Sequence, residues 1–327
     1  MATILVTGGA GYVGSHACKA LARAGHTPVT FDGLVTGWRD AVRFGPFEEG
    51  RLEDRAAIDR VMETYRPDAV LHFAALSDVA EASREPQRYW RANVGGSLNL
   101  LEAMVAAGVG RIVFSSTCAV YGNAGTAGLC EETPASPVNA YGASKLAVEH
   151  MLRDFGRVHD IRYLAFRYFN VAGADEDVEI GEHHRPETHL IPRILNAATG
   201  RAGRLIINGT DYPTRDGTCL RDYIHVGDLV DAHLRGLEYL FEDGENVALN
   251  LGTGRGATVR EVVDMVRRVT GLTVDVREGA RRDGDAASLV CGATRAEAAL
   301  GWRPRASLAD IVASAWAWQQ KGDVYRC

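Results

Sequence analysis

Tyr141 and Lys145 stand four residues apart in the run Asn139-Ala-Tyr-Gly-Ala-Ser-Lys145. On a helix, positions i and i+4 share a face, so this spacing points a phenol and an ammonium the same way. A free tyrosine has a pKa of about 10 and is a poor base at neutral pH. A nearby cation favours the phenolate and lowers that value. Moving it to about 7 takes roughly 4 kcal/mol of differential stabilisation, at about 1.36 kcal/mol per unit. One ammonium in a solvated site falls short of that. An ammonium and a second cation in a site that excludes water could supply it. Taken alone, Tyr-x-x-x-Lys is common by chance, and its ordinary reading is a solvated helix face.

The N-terminus changes that reading. Thr3-Ile-Leu-Val-Thr7 is a short β-branched run, followed by Gly8-Gly-Ala-Gly11-Tyr-Val-Gly14-Ser-His16. Strand, glycine turn and helix in that order are the expected start of a dinucleotide-binding fold. Gly8 suits the tight turn, Gly11 a close approach to a pyrophosphate, and Gly14 close helix–strand packing. The helix N-terminus offers free N–H donors and a partial positive charge to phosphates. The next strand-like run, Thr27-Pro-Val-Thr-Phe-Asp32, ends in a carboxylate eighteen residues past Gly14. An acid there suits the ribose hydroxyls of NAD and repels a 2′-phosphate. Arg39 lies close enough in sequence to complicate the choice of NAD over NADP. A nicotinamide cation would be the second positive charge beside Tyr141.

These residues need a scaffold that gathers them. Strands are expected at 3–7, 27–32, 69–73, 110–115 and 161–168, with helices near 12–24, 54–65, 86–107 and 140–159. That alternation predicts an α/β, Rossmann-type doubly wound parallel sheet. Ligands in such sheets bind beyond the carboxyl ends of the strands. Gly8–Gly14, Asp32, His72-Phe-Ala-Ala75, Ser115-Ser-Thr117 and Phe169-Asn170 all follow expected strands. After about residue 175 the pattern loosens. A helix is expected over His189–Ala198, turns over Asn208–Thr218, another helix over 226–240 and a strand over Val247–Leu251. The reading is a cofactor domain formed by 1–176 with 226–256 and a smaller interleaved C-terminal substrate domain formed by 177–225 with 257–327.

Composition narrows the classes of function. The chain has 327 residues, 46% hydrophobic and 24% charged, ordinary values for a soluble globular protein. No apolar run approaches the roughly 20 residues that span a bilayer, and the N-terminus lacks a signal-peptide pattern. A net charge of −6 argues against nonspecific nucleic-acid binding. Cysteines at 18, 118, 130, 219, 291 and 327 form no Cys-x-x-Cys pair, which fits a reduced, cytoplasmic setting. His183-His184, with Glu182 and Glu187, reads as a solvated polar loop and not as a metal site.

With these residues in place, the chain resembles the UDP-glucose 4-epimerase group of the extended short-chain dehydrogenase/reductase family, nearly end to end. The resemblance rests on Thr7–His16, Phe114-Ser-Ser-Thr117 with Val120-Tyr-Gly122, Arg167-Tyr-Phe-Asn170, Thr188-His-Leu-Ile-Pro192 and Trp302. It rests further on Asp211-Tyr-Pro213 through Arg221-Asp-Tyr-Ile-His225 and on Arg281-Arg-Asp-Gly-Asp285. It implies an isomerase acting on a UDP-sugar. In that group the tyrosine removes the proton of the sugar 4-hydroxyl while the C4 hydride passes to NAD. The 4-keto sugar then turns, and hydride and proton return to its other face. Here Tyr141 would be that tyrosine, Thr117 would bond the 4-oxygen, and Lys145 would also hold the nicotinamide ribose. Tyr12 and Val13 would support the pyrophosphate. Phe73, Ala74 and Ala75 would line the cofactor path, with Asn93 beside it and Phe169 bordering the nicotinamide. Asn170, His189 and Leu190 would meet the sugar nucleotide, Arg221 and Arg282 its diphosphate, and Asp285 the uridine ribose. The group is commonly a homodimer, which here would pack the helices near 86–107 and 140–159.

Several positions depart from that pattern. Arg51 follows Gly50 where an aspartate usually meets the adenine amino group. Gly33 replaces an asparagine, and Ser77 stands where some members place a lysine. Asn208 sits where an aromatic often lies near uracil. Leu289 is intermediate between residues that exclude and admit N-acetyl sugars. Three other readings remain at this stage: a 4-epimerase of another UDP-sugar, a 4,6-dehydratase, or an NAD-sensing protein. Cys118-Ala119 stands where a dehydratase carries its Asp-Glu pair, and these side chains do not perform that proton transfer.

Overall fold

The computed structural model describes every residue except 126, 127, 283, 284, 293, 323, 324, 326 and 327. Asp283 and Gly284 of the late arginine motif and the last cysteine, Cys327, therefore lie outside the described residues. Seven parallel strands form the central sheet: β1 (Thr3–Thr7), β2 (Thr27–Asp32), β3 (Phe47–Glu49), β4 (Ala69–His72), β5 (Arg111–Thr117), β6 (Arg162–Tyr168) and β10 (Val247–Leu251). Their spatial order is β3-β2-β1-β4-β5-β6-β10. The chain leaves β1 toward β2 and later returns to its other side with β4. That reversal opens a crevice at the carboxyl ends of these strands, the usual ligand position in a doubly wound sheet.

Both faces of the sheet are covered, which is why β1 and β4 read as continuous apolar runs and not as alternating ones. Helices α1 (Tyr12–Arg23) and α8 (Val226–Phe241) contribute to the apolar cluster on one face, with Leu21, Leu229 and Leu237 packed against Ile4, Val6 and Leu71. On the other face, α2 (Arg55–Tyr65), α5 (Gly96–Ala107) and α6 (Ala140–His159) pack Ile58, Met62, Leu100, Met104 and Leu152 against Leu5, Val29 and Ile112. The start of α6 is set by Asn139, whose side chain accepts from Gly142 N at 2.8 Å.

Four differences from the expected elements bear on the site. Strand β3 was not expected, because three residues carrying Glu48 and Glu49 give no apolar pattern. β5 runs on to Thr117, which places that hydroxyl at the strand end. The single helix expected at 86–107 is divided into α4 (Pro86–Tyr89), a wide π-type turn (Trp90–Gly95) and α5; a further helix, α3 (Val79–Arg84), precedes them. Asn93 sits in the wide turn and is nearly fully buried. Its carboxamide accepts from Leu76 N at 2.8 Å and donates to Leu76 O and Ser144 Oγ at 3.0 Å each. Such turns are frequent at functional sites.

Much of the rest of the chain packs around a third apolar cluster. It joins α7 (Leu190–Ala198), α9 (Val259–Thr270) and α11 (Leu308–Gln320) to β8 (Leu205–Asn208) and β9 (Leu220–His225). β9 is the hub: it pairs in parallel with β7 (Asn170–Ala172) and β13 (Ser288–Leu289) and antiparallel with β11 (Gly256–Thr258). β12 (Val276–Gly279) pairs with β8, and α10 (Ala296–Leu300) lies near the C-terminus. Register pairs Leu289 with Arg221 and Asn170 with Tyr223, so residues far apart in sequence share one rim. The acidic stretch after β7 is anchored by Lys19 of α1. Its buried ammonium meets Asp175 at 2.6 Å, Glu179 at 2.7 Å and Asp177 at 2.9 Å. No helix among the described residues is long and apolar enough to cross a membrane.

Candidate active site

A single cavity of about 1070 Å³ runs along the carboxyl ends of the sheet. Gly8, Gly11, Tyr12, Val13, Gly14 and Asp32 line one end. Gly8 and Gly14 are required by contact. A Cβ on Gly14 would lie 2.1 Å from Gly8 O, and one on Gly8 (φ +75°) 2.6 Å from Ala74 N. The strand-to-helix loop is therefore wedged against Phe73, Ala74 and Ala75, which also line the cavity. Gly11 caps α1 without a side chain, so the first-turn N–H groups lack a side-chain acceptor and suit an anion. The Tyr12 phenol donates to Gly173 O at 2.6 Å.

Asp32 turns its carboxylate to the same cavity. Its oxygens accept from Ala10 N at 3.0 Å and Leu34 N at 2.8 Å. Burial raises its pKa, against these two bonds. Arg39, the residue that complicated the NAD reading, stacks over Phe47 at 4.4 Å and is not part of the lining. Arg51 and Gly33 do line it, and a Cβ on Gly33 would meet Arg51 Cγ at 2.8 Å. The donors at α1, the glycine cradle and the acid at the end of β2 fit a dinucleotide. Asn93 is not in the lining; it lies behind it and fixes the backbone of Leu76, which is.

Tyr141, Lys145 and Thr117 meet in the middle of the cavity, with Phe169 and Asn170 beside them. The shared helix face is as the spacing predicts, and burial dominates the electrostatics of the protein alone. The Tyr141 phenol is pushed well above its usual pKa, first by burial and then by the neighbouring Tyr168. Thr117, through its hydroxyl, works the other way. Lys145 is itself lowered to about 7 by burial. Its ammonium donates to Ser115 O at 2.8 Å and lies 4.9 Å from the Phe114 ring. A dry site penalises both charged forms at once. The protein alone therefore keeps the phenol protonated, and acidifying it takes positive charge that a ligand brings.

The Lys145 shift has a measurable consequence. Its folded pKa lies below the unfolded value of about 10.4, so between pH 7 and pH 10 the unfolded chain binds more protons than the native one. Cofactor-free protein should gain stability over that window, by at most about 1.36 kcal/mol per pH unit from this group. Denaturant melts at pH 7 and pH 9.5 should show the gain in the wild type and its loss in Lys145→Met. Equal pH dependence of the two proteins would contradict it.

The far end of the cavity is cationic. Arg221 of β9 donates to Leu220 O at 2.9 Å and Ala286 O at 2.8 Å, and lies 3.5 Å from Asp285. With its amide oxygen turned inward, Asn208 accepts from Nε and Nη2 of Arg282 at 3.0 Å each. A third guanidinium was missed in the sequence. Arg193, on α7, lines the cavity, and burial and Arg282 hold its pKa below the usual value. The signal was its place one residue after Leu-Ile-Pro192, which puts it in the first turn of α7. His189, Leu190 and Leu289 line the cavity as well.

The segment read as a solvated histidine loop is not one. Glu182 is buried, and its Oε1 contacts His189 Nδ1 directly. His184 Nδ1 lies 3.4 Å from Glu182 and 3.7 Å from Glu187. Burial works against a charge on His184, but the two carboxylates outweigh it and raise its pKa to about 10. His189 is raised as well, and the imidazoles hold Glu182 below the usual carboxylate range despite its burial. Aromatic residues from distant segments shield the loop. Trp38 Nε1 donates to His183 O at 2.7 Å, and Trp318 Nε1 to Glu182 O at 2.9 Å.

Comparison with known proteins agrees with this geometry. Residues 4–252 match the model of the NAD dependent epimerase/dehydratase family. The chain is 48% identical to the UDP-glucose 4-epimerase of Rhizobium leguminosarum bv. trifolii, over 98% of each chain. The crystal structure of UDP-glucose 4-epimerase from Brucella ovis in complex with NAD superposes with a TM-score of 0.94 at 46% identity, covering 97% of this chain and 98% of that one. The Bifidobacterium longum UDP-glucose 4-epimerase, in complex with NAD+ and UDP, gives a TM-score of 0.93 at 34% identity, covering 98% of each. The chain belongs to the NAD dependent epimerase/dehydratase family.

Proposed function

We propose that the protein interconverts UDP-glucose and UDP-galactose by inverting C4 of the hexose, using NAD. The observation that carries this reading is one continuous cavity with three chemically distinct parts. A glycine cradle and Asp32 occupy one end, Tyr141, Lys145 and Thr117 the middle, and Arg193, Arg221 and Arg282 the other end.

Gly8, Gly11, Tyr12, Val13 and Gly14 would hold the cofactor pyrophosphate and Asp32 a ribose. Phe73, Ala74 and Ala75 would flank its path, Lys145 its second ribose and Phe169 its ring. When bound, NAD supplies the acceptor and donor for the C4 hydrogen. Tyr141 Oη takes the proton of the 4-hydroxyl and later returns it, while Thr117 Oγ1 steadies that oxygen. The arginines hold the diphosphate as forked donors suited to phosphate oxygens. Asp285 takes the uridine ribose, and Asn170, His189 and Leu190 meet the sugar nucleotide. Anchoring the nucleotide firmly and the hexose loosely leaves the sugar free to present either face. Elimination is disfavoured, because Cys118 and Ala119 line the cavity where a further acid and base would be needed.

In this reading, 1–176 with 226–256 serve the cofactor and 177–225 with 257–327 the UDP-sugar. The setting is cytoplasmic, in keeping with free thiols at Cys18, Cys118, Cys130, Cys219 and Cys291. A second copy covers the face bearing Trp90, Leu98 and Val105, which are exposed large apolar side chains along the wide turn and α5. Leu98→Glu should convert a dimer to a monomer in light scattering; a wild-type monomer would refute that part. Purified protein given UDP-glucose should form UDP-galactose, resolved by anion-exchange chromatography. Turnover of UDP-N-acetylglucosamine or UDP-xylose, with none of UDP-glucose, would overturn the assignment of substrate.

A further inference from the structure

We infer that Glu182, His184, Glu187 and His189 form a binding site for one divalent transition-metal ion of the zinc class. The four side chains each turn one donor atom inward: two imidazole Nδ1 atoms and two carboxylate oxygens, all within 4.8 Å of one another. The separations from His184 Nδ1 decide what the cluster suits. At 3.4 Å to Glu182 and 3.7 Å to Glu187, it makes no hydrogen bond, and this nitrogen is buried without a hydrogen-bond partner. Zinc binds imidazole nitrogen and carboxylate oxygen at about 2.0–2.2 Å, so two ligands on one tetrahedral ion stand about 3.4 Å apart. The orphaned nitrogen is thus at ligand-to-ligand distance from both carboxylates. The Glu182–His189 pair, now in direct contact, would open around the ion.

The donor chemistry selects the ion. An ion entering the cluster would displace the protons that the carboxylates hold on both imidazoles, leaving two neutral imidazoles and two carboxylates whose charge of −2 a divalent cation neutralises. Imidazole suits zinc and its neighbours, whereas magnesium and calcium prefer oxygen-only sets. The donors are also held from behind, as metal ligands usually are. Glu187 Oε1 accepts from His189 N at 2.8 Å, leaving Oε2 toward His184. Trp318 fixes the Glu182 carbonyl.

Access does not require an empty nucleotide-sugar site. Glu182, His184 and Glu187 also line a second cavity of about 570 Å³, bounded by Asn196, Arg201 and Trp318. The cluster is the wall between the two cavities, and His189 faces the first. An ion there would staple the segment that leads into α7 and hold His189 and Leu190 at the rim. The other group of converging donors, Asp175, Asp177 and Glu179, offers no comparable vacancy, because the Lys19 ammonium already sits among its oxygens.

The test uses the holoenzyme, dialysed against a chelator and titrated with zinc chloride by calorimetry. One equivalent should bind, and His184→Ala and Glu187→Gln should each weaken binding by about tenfold or more. Each variant is checked for retained NAD and native circular dichroism. Wild-type crystals soaked in zinc chloride, measured at the zinc absorption edge, need no variant. The anomalous peak should fall among the four donors. No binding by the wild type, unchanged binding in both folded variants, or a peak elsewhere would overturn the inference.

Discussion

Replacing Tyr141 by phenylalanine should lower kcat by about 10²–10⁴-fold, the usual worth of a positioned acid–base group, while NAD stays bound. The phenol lies in the middle of the cavity, beside Lys145 and Thr117. Phenylalanine keeps the ring and its packing and removes only the oxygen that exchanges a proton with the sugar. Burial holds the phenol protonated in the protein alone, so the proton transfer depends on the filled site. Steady-state turnover of UDP-glucose measures the loss, and NAD released on denaturation measures occupancy. Activity within tenfold of wild type, with the cofactor in place, would remove Tyr141 from the chemistry.

Gly14→Ala should give protein that no longer retains NAD. The added methyl would stand 2.1 Å from Gly8 O, 2.8 Å from Gly8 C and 2.9 Å from Gly9 Cα. These are backbone atoms of the loop, and Gly8 already uses a left-handed conformation against Ala74. The loop has nowhere to move except into the cavity where the pyrophosphate would lie. NAD content should fall below about a tenth of the wild-type value, with turnover restored poorly by added NAD. Gly11→Ala provides the contrast. Its Cβ meets only Gly8 O, at 3.2 Å, so the loop itself should survive and any loss reflects the approach of the ligand. A Gly14→Ala protein that keeps its full complement of NAD would contradict the placement of the cofactor.

Much of this was legible in the sequence wherever the signal is local. Strand β1, the glycine loop and α1 follow one another within about twenty residues, and each glycine's role follows from spacing. Tyr141 and Lys145 share a face because both lie on α6. Apart from β3, the strands of the central sheet announced themselves as apolar runs because both faces of that sheet are covered.

What the sequence left out depends on distant parts of the chain. His183 and His184, with Glu182 and Glu187, read as a polar loop, since the residues between Gly181 and His189 give no apolar pattern. The burial of Glu182 and the cover over its neighbours involve Trp38 and Trp318, some 145 and 136 residues away from the carbonyls they bind. Arg193 drew no reading from the sequence, and the packing of α7 brings it to the cavity. The break at Trp90–Gly95 follows from Asn93 reaching Leu76 and Ser144, contacts that no local pattern carries. The raised pKa of Tyr141 in the protein alone has the same origin. Spacing gives the direction of Lys145, whereas the penalty for charge in a dry cavity is set by the whole surround.

The account turns on a hydrogen that leaves and rejoins one sugar carbon, with a proton moved by Tyr141. UDP-glucose deuterated at C4 tests this directly, with the UDP-galactose formed in ordinary water read by mass spectrometry and NMR. The account predicts that the deuterium remains at C4 of the product. Replacement of that deuterium by solvent hydrogen would contradict it.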